Sequence, residues 1–239
     1  MKKLVYLFLL VNYSLLFAAK IQVNMNMLGN DHDIIKLKVD SIYEAYFHTA
    51  IDDSNSPIAE AIDLGLPSGT KWASWNVGAS ASWEYGDYYA WGETELKDYY
   101  DWSSYTYCNG SYSTCHHIGD EIAGSKYDVA HIKWGGSWRL PSLEQVKELI
   151  NCCTRMWILQ KGVYGTLVIG PNGASIFLPA AGYRWQDNLY NEGLIGYYWL
   201  STPYPYHECD AFNFNFNSGY WYWSNNYRSF GFPVRPVCP

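Results

Sequence analysis

The sequence predicts an α+β domain with antiparallel strands, one clear helix over about 142–153 and much irregular loop. Three observations carry that class. A capped stretch of helical period follows Pro141, and strand signals separated by Gly/Asn turns run from there to the C-terminus. Residues 79–137, rich in Gly, Ser, Tyr and Asp, show little periodicity of either kind.

Taken in order, the N-terminus reads as an export signal over 1–19. Lys2 and Lys3 form a basic start, Leu4 to Phe17 an apolar stretch, and Ala18-Ala19 a small-residue cleavage site. Residues 20–57 read as a separate segment and linker, with a strand signal at Ile34–Val39 and a polar run from Asp52 to Pro57. The main domain spans 58–239. Ala61–Leu66 leads through Pro67-Ser68-Gly69 into strand-like pieces at Lys71–Ala73 and Trp75–Gly78. Ser142 and Gln145 have the spacing of a capping box. Leu143, Val146, Leu149, Ile150 and Cys153 then share one helical face. Gly165–Ile169 and Ala174–Leu178 flank Gly170-Pro171-Asn172-Gly173 as a hairpin, and Tyr197–Leu200 is a further strand.

Composition narrows the function. Trp 12, Tyr 23 and Phe 9 exceed what a core of this size requires, and Tyr and Trp combine flat apolar area with a polar handle. The net charge of −7 and the lack of a basic stripe argue against nucleic acid. The reading implies no cofactor and no membrane span once the signal is cleaved.

Chemistry-bearing groups are scattered. Cys108, Cys115, Cys152, Cys153, Cys209 and Cys238 leave the disulfide pattern open, although Cys108 and Cys115 enclose a short loop and form a plausible pair. Of Cys152 and Cys153, one is expected to face the core as a free thiol. Cys115-His116-His117 lacks a spaced partner set for a metal, and neighbouring side chains rarely converge on one ion. Asp87 and Glu93 are the carboxylates to weigh for glycoside hydrolysis. No His-Glu-x-x-His, phosphate loop or nucleophile elbow occurs. A non-enzymatic protein is expected.

The string Gly135-Gly136-Ser137-Trp138-Arg139-Leu140-Pro141-Ser142, followed by a helix, resembles the Trp-Arg-Leu-Pro-Thr signature of the formylglycine-generating-enzyme branch of the C-type-lectin fold. Closer still is the resemblance to the Fibrobacter succinogenes major paralogous domain family, a bacterial secreted module. It runs through Ala61–Leu66, Lys71–Ala73, Asn76–Ala79, Glu84–Glu93, the Trp-Arg-Leu-Pro string, Ile176–Arg184 and Gly231–Val237. It implies a C-type-lectin-like fold and no particular activity. Cys209 and Cys238 lack the compact pair used by the oxidases of that branch, and the motifs of calcium-dependent lectins are missing.

The richest segment is 211–239. Phe212, Phe214 and Phe216 alternate with Asn213, Asn215 and Asn217, giving a strand with an apolar face and an amide face. Asn217-Ser218-Gly219 forms the turn. A two-residue loop sets Asn217 opposite Tyr220 and Asn215 opposite Tyr222, whereas a three-residue loop brings the tryptophans to the Asn face. The resemblance implies an apolar Trp221 and so favours the first register. The expected site is an outward face of Asn213, Asn215, Asn217, Tyr220 and Tyr222, with Asn225, Asn226, Tyr227, Trp185, Tyr204, Tyr206 and His207 nearby, holding a surface glycan or protein. A structural envelope component and an enzyme are the other readings.

Between Tyr204 and Phe230, every residue except Glu208, Trp221 and Trp223 is reachable by changing the first two bases of an Asn codon. This resembles the output of a diversity-generating retroelement. It suggests variable positions at Tyr206, His207, Asp210, Asn213, Asn215, Tyr220, Tyr222, Asn225, Asn226, Tyr227 and Phe230.

Overall fold

A computed structural model describes residues 59–239. The expected signal over 1–19, the 20–57 segment and its strand at Ile34–Val39 lie outside the described residues. The chain divides into two units, Met1–Ser56 and Pro57–Pro239, and the fold below is that of the second.

The strands are β1 (Ala61–Asp63), β2 (Lys71–Ala73), β3 (Thr154–Gln160), β4 (Val163–Ile169), β5 (Ser175–Pro179) and β6 (Tyr183–Trp185). They continue as β7 (Asn188–Tyr190), β8 (Gly196–Pro203), β9 (Asp210–Phe216), β10 (Trp221–Tyr227) and β11 (Val237–Cys238). Two helices, α1 (Val129–Trp134) and α2 (Leu143–Cys152), precede β3. The sheets have the orders β1-β2-β11, β3-β4-β5, β10-β9-β8 and β6-β7, with every pairing antiparallel. This is an α+β architecture.

Helix α2 forms where its capping box lies. The Ser142 hydroxyl accepts from the Gln145 N–H (3.3 Å), and the Gln145 side chain accepts from the Ser142 N–H (2.9 Å). Val146 and Leu149 are fully buried, with Leu143 and Ile150 packed beside them. Cys153, just past the helix, is buried as a free thiol, and burial pushes its pKa up to about 12. The β4–β5 hairpin closes through Gly170 N–H to the Ala174 carbonyl (2.8 Å).

Two local expectations are corrected. Trp75–Gly78 is a turn, not a strand, because the Asn76 side chain is drawn inward and Gly78 takes φ 81°. A side chain at Gly78 would also run into the Asp87 carboxylate. The stretch 79–137 holds helix α1, capped by Asp128. One Asp128 oxygen accepts from Ala130 and His131 N–H (2.9 and 3.2 Å), and the other from Gly124 and Leu140 N–H (2.8 and 2.9 Å). Burial still pushes this carboxyl up from its ordinary range.

Sheet β10-β9-β8 lies between two apolar clusters. Tyr198, Leu200, Phe214 and Phe216 meet α2 and the β4–β5 hairpin on one side. Trp199 and Ala211, on the other face, meet Tyr89, Trp91, Phe232 and Val234. Within the sheet, Gly196 leaves room for the ring of Phe216 paired opposite it, since a Cβ there would collide with that ring.

A buried cation, Arg235, ties the parts together. Arg235 donates from Nε to Asn76 Oδ1 (2.7 Å), from Nη1 to the Ala73 carbonyl (2.9 Å) and from Nη2 to the Phe177 carbonyl (2.9 Å). Asn76 in turn donates to the Tyr85 carbonyl (2.8 Å) and to Tyr198 Oη (3.2 Å).

Candidate functional site: an aromatic face around the terminal hairpin

The hairpin takes the two-residue loop. Tyr222 pairs with Asn215 and Trp221 with Phe216, and Asn217 N–H donates to the Tyr220 carbonyl (2.9 Å). Asn217 builds this turn, its side-chain oxygen accepting from Gly219 and Tyr220 N–H (2.8 and 3.1 Å). Its side-chain oxygen is therefore occupied within the protein. Trp221 and Trp223 share the phenylalanine side, where Trp221 reaches Phe214 at 6.2 Å; Trp223 stays partly open under Lys147.

The expected outward exposure of the asparagines is overturned. Asn213 and Asn215 are 0 % and 2 % exposed. The reason is topological: β9 is the central strand, and its amide face is covered by the second apolar cluster as well as flanked by β8 and β10. Neither amide atom of Asn213, nor Oδ1 of Asn215, has a hydrogen-bond partner within the protein. Buried polar groups left in this way are costly and unusual. Asp210, expected as a variable position, is also buried.

What surrounds these amides is aromatic. Asn215 is flanked on its own face by Tyr197 of β8 and Tyr222 of β10. Tyr222 lies against Tyr220 (5.0 Å), and Tyr197 meets Tyr183 edge-on (5.2 Å). From Tyr183 the ring contacts continue to Tyr190 and Phe230, and Phe230 touches both Trp185 (6.3 Å) and Tyr227 (5.5 Å). Tyr227 then meets Trp102 (5.4 Å) and Tyr112 (5.1 Å), and Tyr112 stacks on His207 at 4.4 Å. Tyr222, Tyr220, Trp185, Tyr112 and Tyr227 are each about two-fifths exposed. Several elements thus contribute to one aromatic face.

The structure brings Tyr220, Tyr222, Tyr227, Trp185 and His207 into this face. Tyr204 and Tyr206 go elsewhere, since Tyr204 rests on Phe212, on the opposite side of the sheet from Asn215. Asn225 donates to Asp210 (2.7 Å), and Asn226 is half-buried opposite Ala211. Trp102, Tyr112, Tyr183 and Tyr190 were not singled out from the sequence. Their aromatic identity is the only signal they carry there, because the contacts joining them to the hairpin span long separations.

His207 sits between a donor and an acceptor. Its Nδ1 accepts from Cys209 N–H (3.3 Å) and approaches Asp210 Oδ1 at 3.5 Å. In the tautomer that accepts from Cys209, the Asp210 contact joins two acceptors and is no hydrogen bond. Behind it, Arg228 lies over the Trp91 ring at 4.2 Å and donates from Nε to the Asp210 carbonyl (3.0 Å).

The other chemical groups weighed in the sequence are committed to structure. Cys115 is bonded to Cys209, not to Cys108, and so offers no thiolate to a metal. Among the described residues no three His, Cys, Asp or Glu converge as a metal set, and no helix is long and apolar enough to cross a membrane. Glu93 is buried, paired with Lys97 (2.7 Å) and accepting from Thr106 N–H (2.8 Å). Asp87 accepts from the Tyr89 hydroxyl (3.2 Å).

Residues 163–237 match a domain of unknown function (DUF8237), a span that reaches from β4 into β11 and contains the whole terminal hairpin. No curated protein and no solved structure matches the chain.

Proposed function

We propose that this protein is an exported, non-enzymatic binding module with a C-type-lectin-like fold, related to the Fibrobacter succinogenes major paralogous domain family. It holds a surface glycan or protein on the aromatic face. The observation that carries this reading is the Tyr220–Tyr222 pair and the run of ring contacts from Tyr197 to His207, which flank Asn215 on either side, set above buried amides that lack protein partners. Such rings supply apolar contact area and stacking planes with little side-chain entropy to lose, and their hydroxyls fix orientation. Sequence diversification belongs to the same proposal. It is expected at the exposed positions Tyr206, Tyr220, Tyr222 and Tyr227, and a genome neighbourhood without a reverse transcriptase would argue against it.

A glycan and protein array probed with the full chain tests the reading. Binding is expected in the wild type and should fall at least tenfold in Tyr220→Ala/Tyr222→Ala. Unchanged binding by that variant would refute the site.

A further inference from the structure

We propose that Cys108, Cys115 and Cys209 form a thiol–disulfide exchange site in which Cys108 can take Cys115 from Cys209. The inference is independent of whether the aromatic face binds a ligand. Cys115 and Cys209 are bonded, with Cα atoms 5.2 Å apart, and Cys108 is a free thiol. Cys108 and Cys115 also form an isolated antiparallel bridge. The flanking hydrogen bonds run from His116 N–H to the Tyr107 carbonyl (2.8 Å) and from Asn109 N–H to the Thr114 carbonyl (3.3 Å). That pattern makes 108 and 115 a non-hydrogen-bonded pair, whose Cα atoms stand about 4.5 Å apart and whose side chains share one face. Disulfides span Cα separations of about 4.4–6.8 Å. Cys115 is therefore within bonding reach of both partners without a change of backbone register.

The step balances without an added oxidant. The Cys108 thiolate attacks Cys115 Sγ, the 108–115 bond forms, the 115–209 bond breaks, and Cys209 leaves as a thiolate that takes up the proton Cys108 released. In the resting state the Cys108 thiol donates to the Trp102 carbonyl at 3.1 Å. Both Cys108 and Cys115 are half-buried, whereas Cys209 is buried just before β9. Solvent base thus reaches the attacking thiol more readily than the leaving one.

Exchange would change what the loop is tied to. The 115–209 bond joins positions 94 residues apart and holds the Tyr112 loop against the segment carrying His207. A 108–115 bond closes only a short loop, which restrains the unfolded chain less and leaves Tyr112 held by ring contacts alone. The aromatic face then has a tied and an untied form.

The test uses the full-length chain, held in mildly alkaline buffer and quenched in acid. It is then labelled with a maleimide, digested with pepsin and mapped for linked peptides by mass spectrometry. Both Cys115–Cys209 and Cys108–Cys115 linkages are expected, with the label moving from Cys108 to Cys209 in proportion. The approach to that mixture should quicken about tenfold per pH unit while the thiol form predominates. Cys108→Ser should show only the 115–209 linkage, and Cys209→Ser, after oxidised glutathione, only the 108–115 linkage. Wild-type protein that keeps 115–209 with Cys108 labelled at every pH would overturn the proposal. So would a Cys209→Ser chain whose Cys108 and Cys115 both remain open to the maleimide. A 108–209 linkage would report scrambling through unfolded chain and would also count against it.

Discussion

Arg235 and Asn213 are buried to the same degree, yet they are treated in opposite ways by their surroundings. Arg235 places three donors on three oxygens, and those oxygens belong to Ala73 at the end of β2, to Asn76 in the turn that follows and to Phe177 in β5. Asn213 lies on the central strand of a sheet covered on both faces, and neither end of its amide finds a protein partner. A buried charge is tolerated where every hydrogen bond is made, and its pKa still falls to about 10 because burial disfavours the cation. A buried amide without bonds contributes nothing to holding the fold. The first region is arranged for stability. The second retains polar groups at a cost, beneath the face proposed to bind, as functional sites commonly do.

The largest test of that contrast is Arg235→Met. It removes the charge but leaves two carbonyls and the Asn76 oxygen unpaired in the core. A loss of about 3–5 kcal/mol is expected, read from the urea midpoint. A loss below about 1 kcal/mol would show that these bonds do not organise the fold.

Alkaline unfolding comes next. The hydroxyls of Tyr88, Tyr105 and Tyr198 donate to the carbonyls of Ala181, Trp91 and Pro179, and burial holds each phenol above the ordinary tyrosine range. As pH rises past about 10 the unfolded chain releases these protons and the folded chain keeps them. Fewer protons are then bound in the unfolded state, so stability falls by about 1.4 kcal/mol per pH unit for each such tyrosine. Arg235 acts with the opposite sign between its folded value of about 10 and the ordinary arginine range, because there the folded state releases its proton first. Three phenols outweigh one guanidinium, so the net slope is negative. The last share of tyrosinate absorbance, that of the three buried phenols, should appear only together with loss of circular dichroism, and full tyrosinate absorbance in still-folded protein would break this account.

A smaller effect is expected at the helix cap. Ser142→Ala should cost about 1 kcal/mol in chemical unfolding, and no change would mean that packing of Val146 and Leu149 alone fixes α2. The smallest belongs to Asn213→Leu, which exchanges an unbonded amide for an apolar group of similar size. Stability should stay within about 1 kcal/mol of wild type or rise. A loss above about 2 kcal/mol would show that the amide is satisfied in solution, and the contrast with Arg235 would close.

The sequence made α2 legible because its cap and its periodicity agree, but the residues after Asn217 allowed two hairpin registers, and only the resemblance favoured the one that forms. It did not reveal the burial of Asn213 and Asn215. Alternation of Phe and Asn implies one solvated face only when a strand borders solvent, and β9 lies in the middle of a doubly covered sheet. The cover comes from residues near 77–140 and 230–234, whose bonds are long-range. Tyr89 pairs with Phe232 and Tyr100 with Gln186, and no local pattern encodes either. The same distance hid Trp102 and Tyr112 from the candidate site. Asp128 ahead of Val129-Ala130 was the available signal for α1, obscured by the short length of that helix.

The central claim is that the half-exposed aromatic face binds while the buried hub holds the fold. The most direct measurement is an equilibrium titration of the strongest array ligand against wild type, Trp185→Ala/Tyr227→Ala and the control Tyr164→Ala, with unfolding midpoints taken on the same samples. Tyr164 is likewise exposed but lies on β4, outside the chain of ring contacts. The account predicts at least a tenfold weakening for the double variant, a midpoint close to wild type, and no effect of the control. Equal affinity in the double variant, or equal weakening in the control, would contradict it.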